Sequence, residues 1–219
     1  MKHDPAPSAV PPGAAAAEGA ADAGIAPAQI TGLVLAGGLG RRMSADGQGT
    51  DKGLMPFRGR PLAQHAIERL RPQVGELLIN ANRHAETYRG FGAEVVADAL
   101  PDFAGPLAGL LGGMAAARTP WVIMVPCDSP FMPDDLVARL AVAARAQRTA
   151  VAVARSAGRD QPVFLLAATC LHDGLASYLA QGGRRIDAWY RPLPAAVVDF
   201  PDEAAFRNIN TLADLQALE

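Results

Sequence analysis

From residue 30 onward, short apolar runs alternate with longer segments in which apolar residues recur at helical spacing. Five of the runs have the length and content of buried strands: residues 30–36, 76–80, 94–97, 121–125 and 150–153. Between them, the spacing predicts one helix after Pro61 and another after Pro133. Residues 162–166 and 195–198 are further strand candidates, and residues 212–218 are predicted to form a terminal helix.

This alternation predicts an α/β fold. Strands separated by helices form a mostly parallel sheet that is covered by helices on both faces. In such a sheet the ligand crevice lies beyond the carboxyl ends of the strands. The residues directly after each apolar run are therefore the first candidates for a functional site.

Composition divides the chain into a tail and one domain. Residues 1–29 contain 11 Ala, 5 Pro and 3 Gly, and Glu18 and Asp22 interrupt the apolar run that a signal peptide needs. We therefore predict a disordered Ala/Pro-rich tail over residues 1–29. The chain has 219 residues, 50% of them hydrophobic, and residues 30–219 are predicted to form a single domain.

Charge and cysteine content exclude several classes of protein. The formal net charge is -2 and no five-residue basic block occurs, so nothing indicates nucleic-acid binding. Residues 103–117, the longest weakly charged stretch, are broken by Pro106 and four glycines and fall short of the roughly 20 apolar residues that span a bilayer. Cys127 and Cys170 form no CxxC motif or metal-ligand set. We expect a cytoplasmic protein without a membrane span.

A glycine-rich segment follows the first strand run. It reads Gly37-Gly38-Leu39-Gly40-Arg41-Arg42, and Asp51-Lys52-Gly53 follows after a polar stretch. Glycines allow close backbone approach to a ligand, and cationic side chains match phosphates, which is typical of a nucleoside triphosphate loop. The segment matches neither GxxxxGK[ST] nor GxGxxG. A glycine turn with solvated arginines is the alternative interpretation.

Three polar residues end later strand runs. Asp128 has the oxygen ligands that Mg²⁺ prefers, and its alternative role is to cap the turn at Ser129. Asn80 offers an amide to a base edge or a ribose, or forms a turn. Asp98 has a carboxylate that accepts from the N1–H and exocyclic amine of guanine, or caps a loop. We interpret Cys127 as a buried apolar residue and not as a nucleophile.

Two asparagines precede the predicted terminal helix, in the motif Asn208-Ile209-Asn210-Thr211. Residues two apart in an extended chain face the same side, so both amides are available to a heterocycle such as a pterin. Capping of the helix by Asn210 or Thr211 explains the motif equally well.

Taken in order along the chain, these motifs resemble the bacterial molybdenum cofactor guanylyltransferases. The resemblance covers residues 30–219 and is carried by the following motifs: Leu35-Ala36-Gly37-Gly38, Arg42-Met43, Asp51-Lys52-Gly53, Asn80-Ala81-Asn82-Arg83, Asp98, Gly105-Pro106-Leu107-Ala108-Gly109, Pro126-Cys127-Asp128 and Asn208-Ile209-Asn210-Thr211.

The resemblance implies a Rossmann-like fold of the nucleotide-diphospho-sugar transferase type and transfer of GMP from GTP to molybdopterin with release of pyrophosphate. The implied GTP-binding residues are Leu35, Ala36, Gly37, Lys52, Asn80, Asp98 and Asp128. Catalysis is assigned to Lys52, Asp128 and Arg42, with Asp128 as the ligand of a Mg²⁺ cofactor. The pterin side is assigned to Asn208, Asn210, Arg184 and Arg185. A monomer is expected, with other molybdenum cofactor biosynthesis proteins and acceptor apo-molybdoenzymes as implied partners.

The chain departs from the family pattern at two places. Residues 44–50 make the link between Arg42-Met43 and Asp51-Lys52 longer than is usual, and Gln161 stands where the family has a His before Pro162. Cytidylyl transfer to the same pterin and nucleotidyl transfer to a sugar phosphate are the alternative reactions. A nucleotide-binding cofactor chaperone without catalysis is the alternative from a different class.

Overall fold

The computed structural model describes residues 24–36, 51–99 and 105–218. The strands in these ranges are β1 (Ile30–Leu35), β2 (Pro56–Phe57), β3 (Arg60–Pro61), β4 (Glu76–Asn80), β5 (Glu94–Val96), β6 (Trp121–Pro126), β7 (Val151–Ser156), β8 (Arg159–Ala168) and β9 (Ala195–Phe200). The α-helices are α1 (Leu62–Leu70), α2 (Ala85–Arg89), α3 (Pro106–Ala116), α4 (Leu136–Gln147), α5 (His172–Ala180), α6 (Ile186–Tyr190) and α7 (Leu212–Leu218).

Seven of the described strands form one sheet in the order β5-β4-β1-β6-β8-β7-β9. Neighbouring strands are parallel except on the two sides of β8, which runs antiparallel to β6 and to β7. All five predicted strand runs lie in this sheet, and α1 and α4 follow Pro61 and Pro133 as predicted. The predicted α/β fold with a mostly parallel sheet is therefore confirmed.

Helices cover both faces of the sheet. Because side chains alternate along a strand, Val34 of β1 packs in one hydrophobic cluster and its neighbour Leu33 packs in the other. The first cluster contains Leu70 of α1 and Leu140 of α4. The second contains apolar side chains of α3, α5 and α6, including Trp189.

No helix in the described ranges has the length and apolar content needed to cross a bilayer.

Helix α3 occupies the glycine-containing stretch in which the sequence pattern predicted no element. Its glycines lie against the sheet: a Cβ on Gly109 would sit 2.4 Å from Asn80 Oδ1, and a Cβ on Gly113 would sit 2.5 Å from Leu33 Cδ2. Contacts this short exclude a side chain, so the glycines allow the helix to approach the strands closely. The close approach places the N-terminal half of α3 over the end of β4.

The segment just before β1 also contacts the domain. Pro27–Gln29 forms a short 3-10 helix, and Ile25 packs against the first hydrophobic cluster. Residues 24–29 of the predicted tail therefore lie on the domain surface. The disordered tail stays a prediction for residues 1–23, which lie outside the described residues.

This packing leads to a prediction about truncation. We expect removal of residues 1–23 to leave the melting temperature unchanged, because Ala/Pro-rich sequence contributes little to a core. Removal of residues 1–29 should lower the melting temperature by several degrees, because burial of an Ile side chain is worth about 1–3 kcal/mol and 1 kcal/mol corresponds to roughly 2–4 °C at this size. Thermal unfolding of the full chain and both truncations, followed by circular dichroism, checks this. Equal melting temperatures for the two truncations would contradict it.

Candidate active site

The carboxyl ends of four parallel strands meet at one edge of the sheet. Backbone hydrogen bonds continue the pairing beyond the strands: Ala36 N–H donates to the Asn80 carbonyl (2.8 Å) and Cys127 N–H donates to the Leu35 carbonyl (3.0 Å). Ala81 N–H donates to the Val96 carbonyl (2.9 Å). The residues that end β1, β4, β5 and β6 are therefore neighbours, as the strand-end argument predicts.

Lys52 lies at the centre of this edge. It begins a 3-10 helix, Lys52–Leu54, and its Nζ donates to Asp128 Oδ2 and to Asn210 Oδ1, the latter at 2.7 Å. The side chains of Lys52 and Asp128 are 15% and 14% exposed. The fold thus brings together one cation, one carboxylate and one amide from three distant parts of the sequence.

The two carboxylate oxygens of Asp128 differ in their contacts. Asp128 Oδ1 is buried and accepts no hydrogen bond from any described residue. A buried, unpartnered carboxylate oxygen is costly unless a cation or donor binds it. Within the described ranges, no group of three or more His, Cys, Asp or Glu side chains converges. Among the described residues, Asp128 is the side chain that would hold a metal ion here.

The Asn208–Asn210 segment crosses the end of β6. Ile209 N–H donates to the Asp128 carbonyl (2.9 Å), Ser129 Oγ donates to Asn208 Oδ1, and the Ile209 side chain is fully buried. The helix cap comes from Thr211, whose Oγ1 accepts from Asp214 N–H at 3.0 Å. The Asn210 side chain is therefore not the helix cap but a partner of Lys52.

Asp98 is held by two amides. Asn80 Nδ2 donates to Asp98 Oδ1 (2.9 Å), and Asn82 Nδ2 donates to Asp98 Oδ2 (2.7 Å). Asn82 Oδ1 accepts from Asp98 N–H (2.8 Å), which fixes the orientation of the Asn82 amide. The carboxylate is thereby oriented at the end of β5, and among the described residues each of its oxygens accepts from one amide. Asn80 and Asp98 form one cluster, as their positions after β4 and β5 predict.

The structure adds a residue that the sequence argument did not select. The hydroxyl of Tyr88, on α2, donates to Asp51 Oδ1 (2.6 Å) and lies 3.2 Å from the Ala36 carbonyl oxygen. Burial raises the pKa of the Asp51 carboxyl, although the hydrogen bond from Tyr88 opposes this change. Burial and the bond to Asp51 raise the pKa of Tyr88 well above its usual range. The sequence pattern does not indicate these contacts, because Tyr88 lies in a helix and not at the end of a strand.

Other predicted residues lie apart from the cluster around Lys52. Arg184 Nη1 donates to the Leu179 carbonyl (2.8 Å), and exposed Arg185 forms an ion pair with Asp187 (2.7 Å). Their contacts in the described part of the chain do not reach Lys52, so their pterin-side role stays a prediction. Gly37 and Arg42 lie outside the described residues.

Cys127 lies beside the cluster but is suited to packing. Its side chain is buried at the end of β6, and burial raises the pKa of the thiol far above its usual range. A thiol that stays protonated is a poor nucleophile. The interpretation of Cys127 as an apolar core residue agrees with this environment.

An open, mostly parallel sheet with Lys52 and Asp128 in contact at the carboxyl ends of β1 and β6 fits the class of α/β nucleotidyltransferases. Residues 32–194 match the family model of the MobA-like NTP transferase domain. The chain belongs to the molybdenum cofactor guanylyltransferase family.

The membership rests on a curated relative with high identity. The molybdenum cofactor guanylyltransferase of Ralstonia nicotianae is 53% identical over 198 residues, which cover 86% of this chain and 95% of the relative. A solved structure, molybdopterin-guanine dinucleotide biosynthesis protein A from Archaeoglobus fulgidus, shares the fold at 21% identity and a TM-score of 0.66, covering 86% of this chain and 96% of that one. A Mycobacterium tuberculosis protein solved in complex with manganese is 19% identical, with a TM-score of 0.61 and coverage of 87% and 97%.

Proposed function

We propose that this protein transfers GMP from GTP to molybdopterin, releases pyrophosphate and forms the guanine dinucleotide form of the cofactor. The observation that carries the proposal is the convergence of Lys52, Asp128 and Asn210 at the carboxyl ends of β1 and β6. The activity named for the relatives supplies the substrates. In this proposal, residues assigned to the two different substrates contact the same cation, Lys52.

The chemistry requires positioning more than proton transfer. The terminal phosphate of molybdopterin attacks the α-phosphorus of GTP, a P–O bond forms to it, and the bond to the β-phosphate breaks as pyrophosphate leaves. The nucleophile is already an anion, so a strong general base is not required, and orientation in line with the leaving group lowers the barrier. Lys52, and Arg42 from outside the described residues, offset the charge that grows on the pyrophosphate.

We assign the divalent cation, Mg²⁺, to Asp128. The buried Oδ1, which has no partner among the described residues, fits such an ion, and the manganese complex of a protein with the same fold supports a divalent cation. When bound, the ion neutralises phosphate charge as a Lewis acid. Asp128 also keeps Lys52 in place, because its Oδ2 accepts from Nζ.

We assign the site residues to the two substrates in two groups. In this proposal, GTP is bound by seven residues: Leu35, Ala36, Gly37, Lys52, Asn80, Asp98 and Asp128. Asn208 and Asn210 offer amides on the pterin side, and Arg184 and Arg185 offer charge for the phosphate of molybdopterin.

Pyrophosphate release tests the activity. The protein is incubated with molybdopterin and Mg²⁺, and with GTP, CTP or ATP in separate reactions. Release with GTP, and formation of the dinucleotide product by mass spectrometry, are the expected results. Preference for CTP would indicate cytidylyl transfer, and activity with a sugar phosphate as acceptor in place of molybdopterin would indicate a different transferase. Nucleotide binding without any turnover would indicate a cofactor chaperone.

Base selection leads to a prediction at Asp98. A carboxylate accepts from both the N1–H and the exocyclic amine of guanine, whereas Asn presents a donor toward one of them. We expect Asp98→Asn to weaken GTP by roughly ten- to a hundredfold and ITP, which lacks the amine, by much less. Titration of both nucleotides measures the ratio of the two losses. Any disturbance of the Asn80 and Asn82 amides affects both nucleotides and cancels in that ratio.

Lys52→Ala is the control for this comparison, because Lys52 is assigned to the phosphates that GTP and ITP share. It should weaken both nucleotides equally. Equal losses in Asp98→Asn would instead mean that Asp98 supports the loop or contacts the ribose. The backbone of residues 107–109, at the start of α3, would then be the next candidate for reading guanine.

A further inference from the structure

Lys52 depends on the residue before it for its position. Asp51 is 6% exposed, and its Oδ1 accepts from Gly53 N–H (3.2 Å), which forms the turn that begins the Lys52–Leu54 helix. Asp51 therefore fixes the direction in which Lys52 leaves the backbone. Whatever holds Asp51 also holds the backbone from which the Lys52 side chain extends toward Asp128.

Tyr88 is the side chain that anchors Asp51. It is fully buried, and its hydroxyl donates to Asp51 Oδ1 at 2.6 Å. A hydroxyl carries one proton, so the Ala36 carbonyl at 3.2 Å is the weaker second acceptor. Through these two contacts, Tyr88 joins the turn before Lys52 to the end of β1.

Gly53 provides the space for this contact. A Cβ on Gly53 would lie 2.4 Å from the Tyr88 oxygen, so any other residue at this position would displace the hydroxyl. The Tyr88 ring packs edge-on against Phe91 within the first hydrophobic cluster, which fixes the ring independently of Asp51. The hydroxyl is therefore a rigid anchor on the core side of the site.

We propose that Tyr88 is a positioning residue that acts through Asp51 to hold the Lys52 ammonium in its catalytic place. The inference rests on the proposed function of Lys52. Displacement of a charged group by about 1 Å is enough to reduce a rate by up to a hundredfold. Loss of the Tyr88 hydroxyl loosens the turn and does not remove it, since the Gly53 N–H bond to Asp51 remains. We expect the variant Tyr88→Phe to lose about tenfold in kcat.

The decisive test compares Tyr88→Phe in two backgrounds. If Tyr88 acts through Lys52, its hydroxyl matters only while the ammonium is present. In the natural sequence, Tyr88→Phe should lower kcat for pyrophosphate release about tenfold. In the Lys52→Ala background, the same substitution should lower kcat less than about twofold, because the effects of substitutions at coupled residues are not additive. Product formation from radiolabelled GTP measures the low rates in the Lys52→Ala background.

Tyr190→Phe is a matched control. Its hydroxyl also donates to a carboxylate, Asp160 Oδ2 at 2.8 Å, and its side chain is also buried. That carboxylate is paired with Arg155 and not with the Asp51 turn. Both Phe variants should lower the melting temperature by similar amounts, while only Tyr88→Phe should show an effect on kcat that depends on Lys52.

Each outcome decides the inference. An unchanged kcat in Tyr88→Phe, or an equal fall in both backgrounds, overturns it, as does a Lys52-dependent fall in Tyr190→Phe. A Lys52→Ala variant with full activity overturns the proposed function of Lys52 and the inference with it. Full loss in Lys52→Ala together with no effect of Tyr88→Phe overturns only the inference. If Tyr88→Phe does not fold, Gly53→Ala displaces the Tyr88 hydroxyl while keeping the backbone N–H bond to Asp51, and it is measured in the same two backgrounds.

Discussion

Replacement of Asp128 by Asn is expected to lower turnover with GTP and Mg²⁺ by about 10²–10³-fold while the protein stays folded. Asn keeps the volume of the side chain, and its amide oxygen still accepts the hydrogen bond from Lys52 Nζ. It removes the charge of the buried oxygen, Oδ1, that has no partner among the described residues. A neutral amide is a poor ligand for a divalent cation, so the cation dependence of turnover should shift to much higher concentrations. Initial rates over a Mg²⁺ titration measure both effects.

Asp134→Asn is the matched control for this variant. Asp134 is 82% exposed and forms an ion pair with Arg69 at the surface, where such pairs contribute little. We expect its turnover to stay within about twofold of the natural protein. Turnover of Asp128→Asn within a few-fold of that control would mean that Asp128 only anchors Lys52 and caps the turn after β6.

Replacement of Lys52 by Ala is expected to lower kcat/KM by about 10²–10³-fold. The substitution removes the cation that faces the developing charge, and it leaves the Asp128 carboxylate without its partner. The loss should appear in kcat as well as in GTP affinity, because the charge on the pyrophosphate grows during the reaction. Steady-state kinetics with varied GTP, and GTP titration without molybdopterin, separate the two contributions.

Lys52→Arg tests why a lysine stands at this position. The chain contains 18 Arg but only two Lys, and within residues 30–219 Lys52 is the single lysine. One Nζ serves both Asp128 Oδ2 and Asn210 Oδ1, which suits a compact ammonium and not a planar guanidinium. We expect Lys52→Arg to recover at most about a tenth of the natural turnover. Full activity in Lys52→Arg would show that only the charge matters.

The hydrophobic pattern predicted the central strands β1, β4, β6 and β7 because each of them is buried along most of its length. Runs such as 121–125 contain no polar residue, so their assignment as strands is unambiguous. The strand-end argument predicts that Asn80, Asp98 and Asp128 lie at one edge of the sheet. The direction of β8 was not predictable in this way, since β8 lies in a sheet covered on both faces and its apolar run reads like that of a parallel strand. The tight turn at Ala157 and Gly158, both with positive φ, decides that direction.

Helix α3 shows where local pattern fails. Leu107, Leu110 and Met114 face the core at helical spacing, but the glycines and alanines between them are also mostly buried. A helix that is apolar on most sides gives no clear period, and its glycines suggest a loop. The glycines are needed because the helix packs very close to the strands beneath it. That packing distance is a property of the tertiary structure and leaves no local pattern.

The sequence by itself determined the class of fold, the sheet edge that carries the site and the residue types available there, because burial and strand ends leave a local pattern. Only the tertiary structure decided which of those residues touch. Lys52 meets Asp128 across 76 positions and Asn210 across 158, and the buried Ile209 holds the second of these contacts in place. The contact between Asp51 and Tyr88 likewise joins two residues that lie far apart in the sequence. Spacing along the chain records which side chains are buried, whereas the partner of each polar group depends on how distant elements pack.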